Sequence, residues 1–329
     1  MPDTLLIIVV LLAIVFDYIN GFHDTANAIA TSVSTRALTP RFAVWMAAGL
    51  NFLGATYSTG VAKTIASDLV TSAQMVNEPI IIAAMVGAIS WNLLTWWLGI
   101  PSSSSHALVG GVVGAVLVSK GYAALKIAGI LKIVAALVLS PLVAMGTGLL
   151  IMSGLFWIFG NMAPGRINPK FKRLQIVTAA MMAFSHGSND AQKAMGIITL
   201  TLVSTGYLTT LEVPLWVKIA TATAMGLGTA AGGWRIIRTM GTKIFKLEPI
   251  SGFAADLNSS LVVFGATLLH LPVSTTHVVS GSIMGVGTAK RLSAVRWGTA
   301  QQMLMAWVLT IPCTAVVSAL SYQVIALFL

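Results

Sequence analysis

Long apolar runs alternate along this chain with short polar interruptions. The runs cover roughly 4–16, 42–60, 80–99, 127–159, 174–184, 191–203, 215–231, 253–269 and 298–328. Continuous apolar stretches of this length predict helices rather than strands. A membrane-spanning helix takes about 20 residues, and several runs fall short of that. The interruptions at 17–34, 101–106, 185–193 and 272–277 are polar and rich in Gly or Ser. In lipid, irregular backbone is tolerated only where it is buried in protein or lines a cavity. The pattern therefore predicts an all-α polytopic helix bundle, with broken helices or re-entrant hairpins around an internal site.

Composition points the same way. Of the 329 residues, 57% are hydrophobic and only 9% charged, against roughly 25% charged in ordinary soluble domains. That is too little charge to coat a globule, so the expected class is an integral membrane protein with room for roughly ten to twelve spans. The net charge of +10 comes from 19 scattered Lys and Arg, which positive loops on the cytoplasmic side explain without nucleic acid. The single cysteine, Cys313, excludes an internal disulfide framework, a Cys-based zinc site and a Cys-ligated iron–sulfur cluster. No cofactor is expected. Residues 4–16 follow a Met-Pro-Asp start without Lys or Arg and precede no small-residue cleavage site, so they read as a first span rather than a signal peptide.

The chain repeats itself. LGIPSSSSHALVGG (98–111) matches LHLPVSTTHVVSGS (269–282), pairing Pro101 with Pro272, His106 with His277, Gly110 with Gly281 and, further on, Gly114 with Gly285. GFHDTANA (21–28) matches GSNDAQKA (187–194), pairing Asp24 with Asp190 and Asn27 with Lys193. The Pro motif follows the Asp motif by 77 residues in one half and 82 in the other. The expected division is a first transmembrane repeat at 1–160, a cytoplasmic connecting loop at 161–173 and a second repeat at 174–329. Arg36 and Arg41 follow the first Asp motif, whereas 204–211 has no basic residue; 63–78 is mixed in charge, whereas 235–246 is basic. Equivalent loops of opposite basicity predict inverted-topology repeats, a pattern of secondary transporters. The loops at 36–41, 163–173 and 235–246 are expected to be cytoplasmic and solvated, and the N-terminus external.

Asp24 and Asp190 are the sharpest chemical signals. A carboxylate at mid-membrane costs at least about 2.5 kcal/mol and marks an ion pathway more often than a structural cap. Each proline breaks a helix, and the hydroxyls after it, Ser102 to Ser105 and Val273 to Thr276 apart from Val273 itself, supply an N-cap. Helix N-termini with free N–H groups and hydroxyl donors make an anion site without Arg. Two of them facing each other would cradle a tetrahedral oxyanion. His106 and His277 either tune that site and take part in proton coupling or are buried, hydrogen-bonded imidazoles; His23 and His186 flank the Asp motifs. Lys193 could take the place of a cation, pair with phosphate or Asp190, or snorkel to the interface. Asp17, Asn20, Asn51, Asn92, Asp256 and Asn258 lie in or beside apolar runs. Gly110, Gly114, Gly281 and Gly285 are expected to permit close helix packing, and Trp91, Trp96 and Trp97 to be interfacial or packing residues.

GFHDTANAIATSVSTRALTP (21–40), IPSSSSHALVGG (100–111), SHGSNDAQKAMGIITL (185–200) and LPVSTTHVVSGSIMGVG (271–287) resemble the inorganic phosphate transporter, or Pit, family. The resemblance implies a multi-pass protein of the cell membrane, in contact with membrane lipid, with inverted repeats and re-entrant hairpins, that carries inorganic phosphate as a homodimer. It implies phosphate contacts at Ser103, Ser104, Ser105, Ser274, Thr275, Thr276 and Gln192, to which the residue reading adds Lys193. It places the coupling ion or proton at Asp24, Asn27, Asn189, Asp190, His106 and His277, with a sodium or divalent cation held at Asp24, Asn27 and Asp190. His23 before Asp24, and Lys193 in place of Asn, resemble the bacterial low-affinity branch, which is linked to proton symport and to metal–phosphate complexes, for example with Mg²⁺. The expected function is therefore a phosphate symporter working by alternating access. The alternatives are a sodium-coupled symporter, a permease for sulfate or another oxyanion, and a passive anion channel. An enzyme is not expected, because no nucleophile–base spacing stands out.

Overall fold

The computed structural model describes residues 4–328. Its helices are α1 (Thr4–Ser34), α2 (Pro40–Tyr57), α3 (Gly60–Asp68), α4 (Glu78–Leu98), α5 (Ser104–Lys120), α6 (Ile127–Phe159), α7 (Pro164–Ser204), α8 (Leu215–Ala231), α9 (Trp234–Arg238), α10 (Pro249–Leu268), α11 (Thr275–Lys290) and α12 (Trp297–Ala326). No β-strand occurs among the described residues; a lone bridge joins Val70 and Leu125. By length and composition, α1, α4, α6 and α12 are able to cross a bilayer.

The element order repeats, α1–α6 and then α7–α12, and the two sets interlock. α1 packs on α8 while α2 packs on α7; α5 packs on α12 while α11 packs on α6. The expected glycine contacts make the last two pairs close. A Cβ at Gly110 or Gly114 would strike the α12 backbone at Ile311 or Ala315, and one at Gly281 or Gly285 the α6 backbone at Pro141 or Met145.

Buried apolar side chains form two clusters. α1 contributes Leu6 to Phe16 to the first and Ala26 to Ala30 to the second. α7 contributes in the opposite order, Ala179 to Ala183 to the second and then Ala191 to Leu202 to the first. The polar stretches of both helices lie between the clusters.

Two of the four expected interruptions are breaks in the backbone. Between α4 and α5, Gly99 is left-handed (φ 68°), Pro101 follows and Ser103 caps the next helix. Between α10 and α11, His270 is left-handed (φ 57°), Pro272 follows and Ser274 caps. Proline disfavours helical backbone in the residue before it, so the two breaks share one cause.

The other two interruptions are corrected: 17–34 and 185–193 lie within unbroken α1 and α7. Neither contains proline, so the backbone ladder is intact, and several of the polar side chains find partners on other helices or on their own preceding turn. Thr25, for example, donates to the carbonyl of Gly21 at 2.6 Å.

The connecting loop expected at 161–173 is also corrected, since from Pro164 onward it is the start of α7. Proline at the first helical position loses no intrahelical bond. Ile167, Phe171, Gln175 and Thr178 recur inward at helical spacing while Arg166, Lys170 and Arg173 stay exposed. Likewise 235–246 is not a solvated loop. It is α9 followed by a π-turn (Thr239–Lys243), with Ile236, Ile237, Met240, Ile244 and Phe245 buried.

Candidate functional site

The continuous helices α1 and α7 present their polar faces to the N-termini of α5 and α11. Asp24 is the hub on α1. His23 Nδ1 lies 2.6 Å from Asp24 Oδ1, and His23 Nε2 lies 3.1 Å from Thr95 Oγ1. Ser104, at the start of α5, donates to Asp24 Oδ2 at 3.0 Å and to Asn20 Oδ1 at 2.5 Å. Thr276, at the start of α11, donates to Asp24 Oδ1 at 3.3 Å. Asn27 donates to Thr275 and Thr276, both at 3.0 Å.

Asp190 is the counterpart on α7. Thr275 donates to its Oδ2 at 3.2 Å, and Lys193 Nζ lies 2.8 Å from its Oδ1. His186 Nε2 stands 3.7 Å from Oδ2, while its Nδ1 lies 2.9 Å from Asn51 Oδ1. Lys193 is fully buried, so it does not snorkel. Lys193 pairs with Asp190 at charge-assisted hydrogen-bond distance, and its ammonium has no further acceptor among the described residues. Its other two donors remain available to an anion. Ligand atoms of Asp24, His186 and Asp190 lie within 4.8 Å of one another, a spacing at which they could share a cation.

The helix N-termini add donors. Ser103 accepts from the N–H of His106 at 3.2 Å, and Ser274 from that of His277 at 3.3 Å. These two hydroxyls cap their helices. The N–H groups one and two residues after each cap, at Ser104, Ser105, Thr275 and Thr276, are the ones a helix leaves without an intrahelical acceptor. An anion reaching both termini would meet backbone donors, hydroxyls and one ammonium.

Other expected residues sit apart from this centre. His106 Nδ1 contacts Ser103 at 2.8 Å, the rings of His106 and His277 lie 4.6 Å apart, and His277 stacks on Trp307 at 3.8 Å. The two histidines thus stand behind the caps. Gln192 turns to the N–H of Ala62 and the carbonyl of Ser188. Asn189 clamps the break before α11, donating to Thr267 and to the Leu271 carbonyl and accepting from the Val273 N–H. Ser105 donates to the Val273 carbonyl at 2.9 Å, tying the two breaks together. Trp91 and Trp96 are packing residues, through Ser102 and Phe22 respectively; Trp97 is exposed.

Sequence reasoning missed how much of the site is partnered by residues of low apparent rank. Asn20 stands four residues before Asp24, one helical turn away on the same face, and that spacing could have found it. Nothing in the sequence marks Thr95.

The chain is similar throughout to known proteins. The sequence model of the phosphate transporter family matches residues 20–164 and 160–318. A probable low-affinity inorganic phosphate transporter of Bacillus subtilis (strain 168) is 52% identical, covering 98% of this chain and 97% of its own. One of Rhizobium meliloti (strain 1021) is 47% identical, covering 97% and 96%. Among solved structures, a sodium-dependent phosphate transporter superimposes with a TM-score of 0.89 at 27% identity, covering 99% of this chain and all of that one.

Proposed function

The chain belongs to the phosphate transporter family, a membrane family whose named members are transporters rather than enzymes, and from that premise we propose that it is a proton-coupled symporter of inorganic phosphate working by alternating access. One observation carries the proposal. The carboxylates of α1 and α7 bond to the hydroxyl-bearing N-termini of α5 and α11, beside a buried ammonium with free donors. Phosphate sits between those N-termini, at Ser104, Ser105, Thr275 and Thr276, and pairs with Lys193. The caps Ser103 and Ser274 hold the termini in place, and Gln192 and Asn189 fix α7 against α3 and the second break. Hydrogen phosphate still carries a proton to donate to Asp24 or Asp190, whereas sulfate has none. A buried carboxylate left unsatisfied makes that discrimination large.

The two halves, 1–160 and 174–329, are inverted repeats, and the segments at the two proline breaks are the tips of re-entrant hairpins. The opposite order in which α1 and α7 pass through the two apolar clusters supports this. Rocking of one half against the other exposes the site to each side in turn. The working form is a homodimer in the cell membrane, in contact with lipid.

The coupling ion has a second reading. Asp24, Asn27 and Asp190, with His186, also have the oxygen and nitrogen donors to hold sodium or a divalent cation carried with phosphate, such as Mg²⁺, and a sodium-dependent transporter shares the fold. Lys193 favours the proton, because its ammonium already stands 2.8 Å from Asp190, where a cation would bind. Radiolabelled phosphate uptake into proteoliposomes tests this, with pH and sodium gradients imposed separately, each with and without magnesium. Accumulation driven by the pH gradient alone is expected. Accumulation driven by sodium alone would overturn the proton reading, and leakage without accumulation would overturn symport.

A further inference from the structure

Asp17 is a carboxyl that the site does not use. It lies on α1, fully buried; Asn20 of its own helix is the polar side chain beside it, and no cation pairs with it among the described residues. It stands seven residues before Asp24, two turns away on the same face of the helix. Asp24, by contrast, is held by His23, Ser104 and Thr276. The side chains that act on Asp17 are Asn20 on its own helix and the charged Asp190 and Lys193 on α7.

The other elements packed on α1 bring no further charge to Asp17, and α5 meets α1 through Ser104, ahead of His106. The charged residue of α8, Lys218, lies about 15 Å along that helix from Gly228, which touches Tyr18. α4 meets α1 at Thr95 and Trp96, about 25 Å from its Glu78. Arg235 of α9 is turned onto Trp96, and the π-turn meets α1 at Ala30. α10 brings Asp256 only to Thr31, and α11 brings Thr276 to Asp24 ahead of His277. α2, with Arg41 near its start, follows α1 beyond Ser34.

A buried carboxylate without a counter-charge in contact is costly enough that the group neutralises instead. We infer that Asp17 is the residue that carries the coupling proton, and that Lys193 couples it to phosphate. This rests on the symport reading above. Lys193 supplies one positive charge, already shared with Asp190. With phosphate bound, that charge is fully engaged and Asp17 must hold its proton. With phosphate gone, the ammonium balances the Asp17 carboxylate and the proton can leave. The proton adds to a carboxylate oxygen of Asp17 from water on the side where phosphate enters. It returns to water on the side where phosphate leaves. No other bond changes.

The test compares wild type, D17N and D17E, each as purified full chain in proteoliposomes. Two readouts are taken: exchange of labelled for unlabelled phosphate at equal pH on both sides, and accumulation driven by a one-unit pH gradient. Wild type is expected to exchange and to accumulate up to about tenfold per proton carried. D17N should exchange within about twofold of wild type and show no accumulation, and D17E should recover accumulation. PH-driven accumulation by D17N would overturn the inference while leaving symport intact. Loss of exchange together with accumulation, in D17N that elutes as a single folded species, would also overturn it and make Asp17 a binding or structural residue. Wild type driven by sodium alone would overturn both, placing the failure in the coupling reading itself.

Discussion

Replacing Lys193 by Gln keeps length and hydrogen-bonding capacity but deletes the one cation in contact with Asp190. Breaking a buried ion pair from one side costs about 3–5 kcal/mol, because the remaining charge has no counter-charge. Asp190 keeps Thr275 at 3.2 Å and His186 at 3.7 Å, which places K193Q near the low end, about 3 kcal/mol. The double variant D190N/K193Q removes both charges, and exchanging a whole buried pair for neutral groups is close to neutral. It should therefore recover to within about 1 kcal/mol of wild type; D190N alone, which strands the ammonium, should cost about 3 kcal/mol as K193Q does, so the double variant falls about 5 kcal/mol short of the sum of the two. Thermal unfolding in detergent reads this as a marked fall in midpoint for K193Q that the second substitution restores. Phosphate uptake should be lost in both, since the ammonium is gone from both. If the two single effects simply add in the double variant, the ion pair has no energetic reality and the role given to Lys193 falls with it.

Other substitutions separate transport from structure. D24N should retain wild-type elution and thermal stability to within about 1–2 kcal/mol, the scale of one hydrogen bond to a charged group, yet lose gradient-driven phosphate uptake; normal uptake would remove Asp24 from the transport site. G285A places a methyl against the Met145 carbonyl of α6, and should destabilise by about 1–3 kcal/mol in thermal unfolding, as overpacking does. At the end of α3, partial burial raises the Asp68 carboxyl, but Lys126 at 2.8 Å and Lys132 at 3.3 Å outweigh it and hold the carboxyl below its ordinary value. A depressed carboxylate stabilises the fold above its unfolded pKa, and that contribution is lost as pH falls through the folded one. D68N should thus be less stable than wild type at pH 7 by less than about 1 kcal/mol, the lysines being half exposed. The difference should begin to shrink as pH drops below the ordinary value of 3.8 and vanish once pH is below the depressed folded value.

The elements were legible where local chemistry decides them. Pro101 and Pro272 forced breaks that the structure contains, and the run at 215–231 is α8 to the residue. Reading failed where polar composition was taken for irregular backbone. The stretch 17–34 is rich in Asp, Asn, Ser and Thr, but without proline nothing stops its hydrogen-bond ladder. At 164–173, two prolines and four basic residues disguised an inward stripe at helical spacing. The candidate site was legible through the internal repeat, which singled out Asp24, Asp190 and the hydroxyl runs together. Its partners were not. Asn27 reaches Thr275, and Asn51 reaches His186, by tertiary packing that no local pattern encodes.

The bond from Asn27 to Thr275 joins residues 248 positions apart, and this has a consequence for biogenesis. At about 5–20 residues per second, the ribosome takes roughly 12–50 s to travel from one to the other. During that interval α1 holds Asn27 and Asp24 without the hydroxyls of α11, which do not yet exist. A charge at the middle of a bilayer costs about 2.5–3.5 kcal/mol, so α1 bears that penalty at Asp24 until α11 arrives. A helix made early is thus completed only by one made late, and its half of the site stays open while everything between them is synthesised.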